Sequence, residues 1–244
     1  MPYTDHTEPN TALEYDKVAG LYNTKFDNSF DAAEEEFIFD QFRHLIRAND
    51  VLDIGCGTGL VKRLADMDLF KMRSYTGVDY SEGMIKVAKA KYPGAIFIQH
   101  DMVEFMNRVC EPGSFDTVVA MYCPLNYCEQ HQAKVYAAVR RVLKQGGHFI
   151  NVAASSRYAA RESHVISASN MRRYFDDSPY HIDMIEEQFS VVSIHGANYS
   201  IEKYRRWLER CPKIINKRLF KFDAEQFKQS GRNPLLYTFI LQKL

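Results

Sequence analysis

A mostly parallel α/β sheet of seven strands, with helices on both faces, is the fold class that this sequence predicts. Three observations lead there. Between residues 51 and 154 short β-branched runs alternate with amphipathic stretches, the signature of βα units. The runs are continuously apolar, as strands buried on both faces must be. The first of them leads straight into a glycine-rich turn and then a helical stretch.

In chain order, Tyr15, Val18, Ala19 and Tyr22 fall on one helical face within residues 1–45, which predicts an N-terminal helix laid over the domain. Strands are expected at 51–54, 75–79, 95–99, 117–121 and 148–153. Ser81 is placed to N-cap a helix running towards Tyr92, where Pro93-Gly94 ends it. Over 130–144, Val135, Ala138, Val139, Val142 and Leu143 repeat at helical spacing and predict a packing helix that Gly146-Gly147 stops. Two more strands are expected at 191–195 and 235–241, neighbours by antiparallel pairing at the sheet edge, with a helical insertion at about 201–229 between them.

Composition bounds the function. With 244 residues, 46% of them apolar and 25% charged, the chain has a real core, which excludes disordered and disulfide-scaffold classes. The five cysteines (Cys56, Cys110, Cys123, Cys128 and Cys211) show no C-x-x-C spacing and fit a reducing cytoplasm, and no metal is expected. The N-terminus offers no signal-like segment, and no apolar run approaches the roughly 18 residues of a membrane span. Basic and acidic residues number 31 each, so a general grip on DNA or an acidic membrane is not expected. The zero conceals a gradient: residues 1–50 carry 4 basic and 11 acidic residues, whereas 201–229 carry 9 and 4.

The strongest local signal is Val51-Leu52-Asp53-Ile54-Gly55-Cys56-Gly57-Thr58-Gly59-Leu60, a strand running into G-x-G-x-G. Glycines let such a turn approach a ligand closely. A dinucleotide loop has G-x-G-x-x-G, but residue 60 is Leu. Asp53, two residues before the first glycine, would repel a pyrophosphate but accept a hydrogen bond from an ammonium group, which points to a ligand carrying an amine. Asp79 ends the second strand, where a carboxylate takes both hydroxyls of a ribose, and Asp101 closes the third. Three acids thus stand at the C-terminal ends of successive strands, the edge at which open α/β sheets bind ligands.

On these residues the chain resembles the class I S-adenosylmethionine-dependent methyltransferases of small-molecule type, with a Rossmann-like sheet. The resemblance implies that Asp53, Gly55, Cys56, Gly57 and Gly59 surround the methionine part of S-adenosylmethionine. It implies that Asp79 binds the ribose, that Tyr80 and Met84 line the adenine, and that Asp101 with the Met102 amide reads the adenine edge. Met121 and Tyr122 would lie beside the methionine amine, and Tyr15 and Tyr22 resemble an aromatic lid helix. The implied organisation is one domain over 1–244: lid at 1–45, cofactor-binding core at 46–154, substrate-side half at 155–244.

The methyl acceptor is argued from what remains. Cys123-Pro124-Leu125-Asn126-Tyr127 lacks the paired prolines of nucleobase-amine methyltransferases, and its Cys-Pro order reverses that of the cytosine C5 enzymes. The expected reaction is therefore transfer to oxygen or nitrogen of a small molecule, with Asn126, Tyr127, His131, Tyr204 and Trp207 as acceptor-side candidates. RNA or protein docked on the basic insertion is one alternative; a non-catalytic S-adenosylmethionine-binding subunit is another. The acidic N-terminal region and the basic insertion are expected to meet over the cleft.

Overall fold

The computed structural model describes residues 9–25, 29–67, 71–122, 124–125, 131–154, 164–166, 182–197 and 236–244. At the centre of the parallel part of its sheet is β1 (Asp50–Ile54). β2 (Ser74–Asp79) and β3 (Ile96–Gln99) extend the sheet on one side of β1, and β4 (Phe115–Ala120) and β5 (Leu143–Ala154) on the other, all parallel. The order therefore reverses between β1 and β4, which opens a crevice beyond their C-terminal ends.

The remaining strands are β6 (His164–Ile166), β7 (Phe189–Ala197) and β8 (Leu236–Lys243). β8 pairs antiparallel with both β5 and β7, so the two late strands are neighbours as their sequence suggests. All seven expected strands are present. The three-residue β6, which pairs antiparallel with β7, adds an eighth at the edge.

Alternation along β1 shows why both faces need helices. Leu52 and Ile54 join a cluster with α5 (Met102–Arg108), α6 (Gln132–Val142) and α7 (Ile182–Gln188). Val51 joins the opposite cluster, which includes α2 (Ser29–Ile46), α3 (Leu60–Met67) and α4 (Glu82–Lys91). Ser81 caps α4 by accepting from the Met84 N–H, and Tyr92 closes it, both as expected. All five periodic residues of the 135–143 stretch are buried.

Two expectations need correction. Gly146-Gly147 does not end α6: the helix stops at Val142, Leu143 turns extended, and both glycines lie inside β5. There the register shifts between Phe115 and Thr117, and a Cβ on Gly147 would lie 2.9 Å from the carbonyl oxygens of Asp116 and Lys144. Val18 does not share a buried face with Ala19; it is 44% exposed, beside the exposed Leu13 and Leu21 of α1 (Pro9–Lys25). The expected insertion at 201–229, with its meeting with the acidic N-terminal region, lies outside the described residues. Among the described residues no helix is long and apolar enough to cross a membrane.

Candidate functional site

The turn after β1 is built on left-handed backbone, with φ of +67° at Gly55, +51° at Gly57 and +88° at Gly59. It is laced to the end of β2: the Gly55 and Cys56 N–H groups donate to the Val78 carbonyl at 2.8 and 3.0 Å. The Gly57 N–H donates to Asp79 Oδ2 at 2.8 Å, and Asp79 Oδ1 accepts from the Ser81 N–H at 2.9 Å. Asp79 thus joins two loops, and its burial raises its pKa. A Cβ built on Gly57 meets no atom within 4 Å, so the turn borders open space at that residue.

Asp53 is only 1% exposed. Its Oδ2 accepts a 2.7 Å hydrogen bond from the Tyr75 hydroxyl, whereas its Oδ1 is buried with no hydrogen-bond partner. Burial pushes its pKa up to about 7 against the lowering effect of the Tyr75 hydrogen bond, and the charge of Asp79 pushes the same way. An orphaned buried carboxylate oxygen is costly unless a ligand completes it, and an ammonium group does so. Cys56, buried beside these two acids, has its thiol pushed well up, so it is no nucleophile at neutral pH.

Helix α1 is pinned across this turn. Asp16 Oδ1 accepts from the Gly83 N–H at 2.8 Å and from the Ser81 hydroxyl, and a Cβ on Gly83 would lie 3.1 Å from the Asp16 Cα and the Ala19 Cβ. One turn beyond Ala19, Asn23 accepts from the Thr58 hydroxyl of the glycine loop at 2.7 Å. Tyr15 and Tyr22, both half-buried, pack with ring centroids 5.9 Å apart.

The other expected residues spread around the same edge. Tyr80 follows β2, and its carbonyl accepts from Gln99 at 3.4 Å; Met84 is buried in α4. Asp101 is fully buried and caps α5, its Oδ1 accepting from the Glu104 N–H at 2.9 Å, while Met102 packs into the core. Met121 is buried at the end of β4. Tyr122 has φ +60°, a strained value for an aromatic residue, and its hydroxyl donates to Glu34 of α2 at 3.2 Å. His131 stands at the N-terminus of α6. Asn126, Tyr127, Tyr204 and Trp207 lie outside the described residues.

Sequence reasoning missed Tyr75, Asp16, Asn23, Thr58 and Glu34. The place of Tyr75 follows from β1–β2 register, which sets Val51 opposite Tyr75 and Asp53 opposite Gly77, so the period of two puts Asp53 and Tyr75 on one face. Among the described residues no group of three or more His, Cys, Asp or Glu side chains could hold a metal ion.

A sheet reversing between β1 and β4, with a glycine turn after β1 and an acid ending β2, is a Rossmann-like α/β fold of the kind that class I methyltransferases have. Residues 51–147, about two fifths of the chain, match the family model described as "Methyltransferase domain".

An uncharacterized protein of Methanocaldococcus jannaschii is 30% identical over 142 residues, 58% of this chain and 50% of that protein. A demethylmenaquinone methyltransferase of Symbiobacterium thermophilum is 26% identical over 164 residues, covering 65% and 64%. The chain spans about half the length of the curated relatives it matches, 50% of the first and 55% of a second. Among solved structures, the (4+2)-cyclase SpnF aligns with TM-score 0.63 at 14% identity, over 100% of this chain and 98% of that one. An S-adenosylmethionine-dependent methyltransferase from Mesorhizobium loti aligns with TM-score 0.54 at 17% identity, over 84% and 97%. These structural likenesses establish the fold; that one of them is a cyclase is a reminder that reactions are argued from sites.

Proposed function

We propose that the protein moves a methyl group from S-adenosylmethionine to oxygen or nitrogen of a small-molecule acceptor by direct displacement. The observation that carries the cofactor assignment is Asp53 Oδ1, a buried carboxylate oxygen with no hydrogen-bond partner directly before a glycine turn that borders open space. The cofactor would supply an electrophilic methyl group on a sulfonium.

The residues divide the binding task. Asp53 would accept the amine, with Gly55, Cys56, Gly57 and Gly59 forming the wall around the methionine part and Met121 and Tyr122 beside it. Asp79 would take the ribose hydroxyls. Its oxygens already accept two backbone N–H groups, but each oxygen has a second lone pair to offer. Tyr80 and Met84 would line the adenine, read at its edge by Asp101 and the Met102 amide. Tyr15 and Tyr22 would cover the site from a helix pinned to both the glycine turn and α4.

Positioning is then the main catalytic task, because holding an acceptor in line with an activated methyl group is worth roughly 7–11 kcal/mol. No dedicated general base is required. The absence of paired prolines after β4 and the zero net charge support a small acceptor over a nucleic acid, and one relative is named a demethylmenaquinone methyltransferase. The test is transfer of tritiated methyl from S-adenosylmethionine into separated metabolite, RNA and protein pools. Label in the metabolite pool supports the reading, and label confined to RNA or protein refutes its acceptor class.

A further inference from the structure

Tyr75 lies two residues before Gly77 on β2, buried and with its ring edge-on to Phe97 at 5.6 Å. Tyr92, at the end of α4, packs on the same Phe97 at 6.3 Å, which backs the ring that Tyr75 rests against. Its hydroxyl reaches Asp53 Oδ2 at 2.7 Å, while Oδ1 of the same carboxylate has no partner. The groups acting on this carboxylate and its neighbours are acidic: Asp79 from the end of β2, the Cys56 thiol from the glycine turn, and Asp16 from α1 behind Asp79. Among the described residues no Lys, Arg or His contributes to the forces on Asp53. A buried carboxylate among acids takes up a proton unless a donor stabilises its charge, and here that donor is a neutral phenol.

We propose that Tyr75 is a positioning residue for the cofactor amine: its hydroxyl holds Asp53 Oδ2 and turns the carboxylate so that Oδ1 accepts the ammonium group. This rests on the cofactor reading above and adds to it a residue outside the glycine turn. Burial raises the Asp53 pKa and the Tyr75 hydrogen bond opposes that rise, so removing the hydroxyl favours the neutral carboxyl, which offers the ammonium no charge. The burial of Tyr75 and the acids around it push its own ionisation far up, so it stays a donor throughout the neutral range.

Tyr75→Phe keeps the ring and removes only the hydroxyl, so it separates this role from packing. The experiment measures by calorimetry the affinity of wild type and Tyr75→Phe for two probes between pH 5.5 and 8.5. S-adenosylhomocysteine carries the amine; 5′-methylthioadenosine has the same nucleoside without it. In wild type, S-adenosylhomocysteine affinity should fall below about pH 7 while methylthioadenosine affinity stays level. In Tyr75→Phe that fall should move to higher pH, with a loss of about tenfold or more at pH 7 for S-adenosylhomocysteine and none for methylthioadenosine. An unchanged pH profile in the variant, or equal loss of both probes, overturns the role of Tyr75 while leaving the cofactor reading standing. Failure of wild type to bind either probe overturns both.

Discussion

Thr58 of the glycine turn donates its hydroxyl to Asn23 of helix α1 at 2.7 Å. The turn that would hold the cofactor and the helix that would cover it are therefore joined side chain to side chain. Thr58→Val should weaken S-adenosylmethionine binding by roughly 2–10-fold, the worth of one partly buried hydrogen bond, with little change in melting temperature. Equal affinities of variant and wild type in a calorimetric titration would separate α1 from the site.

Asp53 sets function against stability. Folded, it keeps its proton up to about pH 7; unfolded, it loses it near 3.8. Between those values the folded state holds the extra proton, so this residue's contribution to stability falls as pH rises through the window. Asp53→Asn, which still offers an acceptor to Tyr75, should melt higher than wild type at pH 8. The gain should shrink towards pH 4. The same variant should bind S-adenosylmethionine at least tenfold more weakly, having no charge for the ammonium. Melting curves across pH and one titration check both halves.

At the opposite end of the sheet Lys144 donates to Asp50 and Asp116, each at 2.9 Å, and Arg73 reaches the same two acids at 2.9 and 3.2 Å. The Lys144 hydrogen bond, against a burial effect of opposite sign, holds Asp50 at about 2. Its stabilisation is full above about pH 3.8 and is lost as pH falls towards 2. Lys144→Met should cost about 0.5–1 kcal/mol at pH 7, after screening by water. The gap between the urea midpoints of variant and wild type should close as pH drops through that window; a gap that stays constant contradicts the ion-pair account.

The parallel half of the sheet was legible because each strand is a short apolar run bounded by turn residues, and the 135–143 helix because its buried positions repeat at the helical period. Helix α2 was not recognised. Ile38, Phe39, Phe42 and Ile46 are its fully buried face, but the acids before them suggest a solvated segment. Structure explains those acids through partners distant in sequence: Glu35 pairs with Arg63 at 2.6 Å and Glu34 accepts from Tyr122. The glycine turn and Asp53 and Asp79 stood out as a local motif. Their supports, Tyr75, Asn23 and Asp16, are set by strand register and helix docking, which no local pattern encodes.

The measurement that bears most directly on the central claim is a calorimetric titration of S-adenosylmethionine into wild type and Gly57→Val. At Gly57 a side chain would meet the open space beside the turn and force a β-branched residue to φ +51°. The account predicts saturable one-to-one binding to wild type and its loss in a Gly57→Val protein that still melts cooperatively. No binding to wild type, or undiminished binding to the variant, would contradict it.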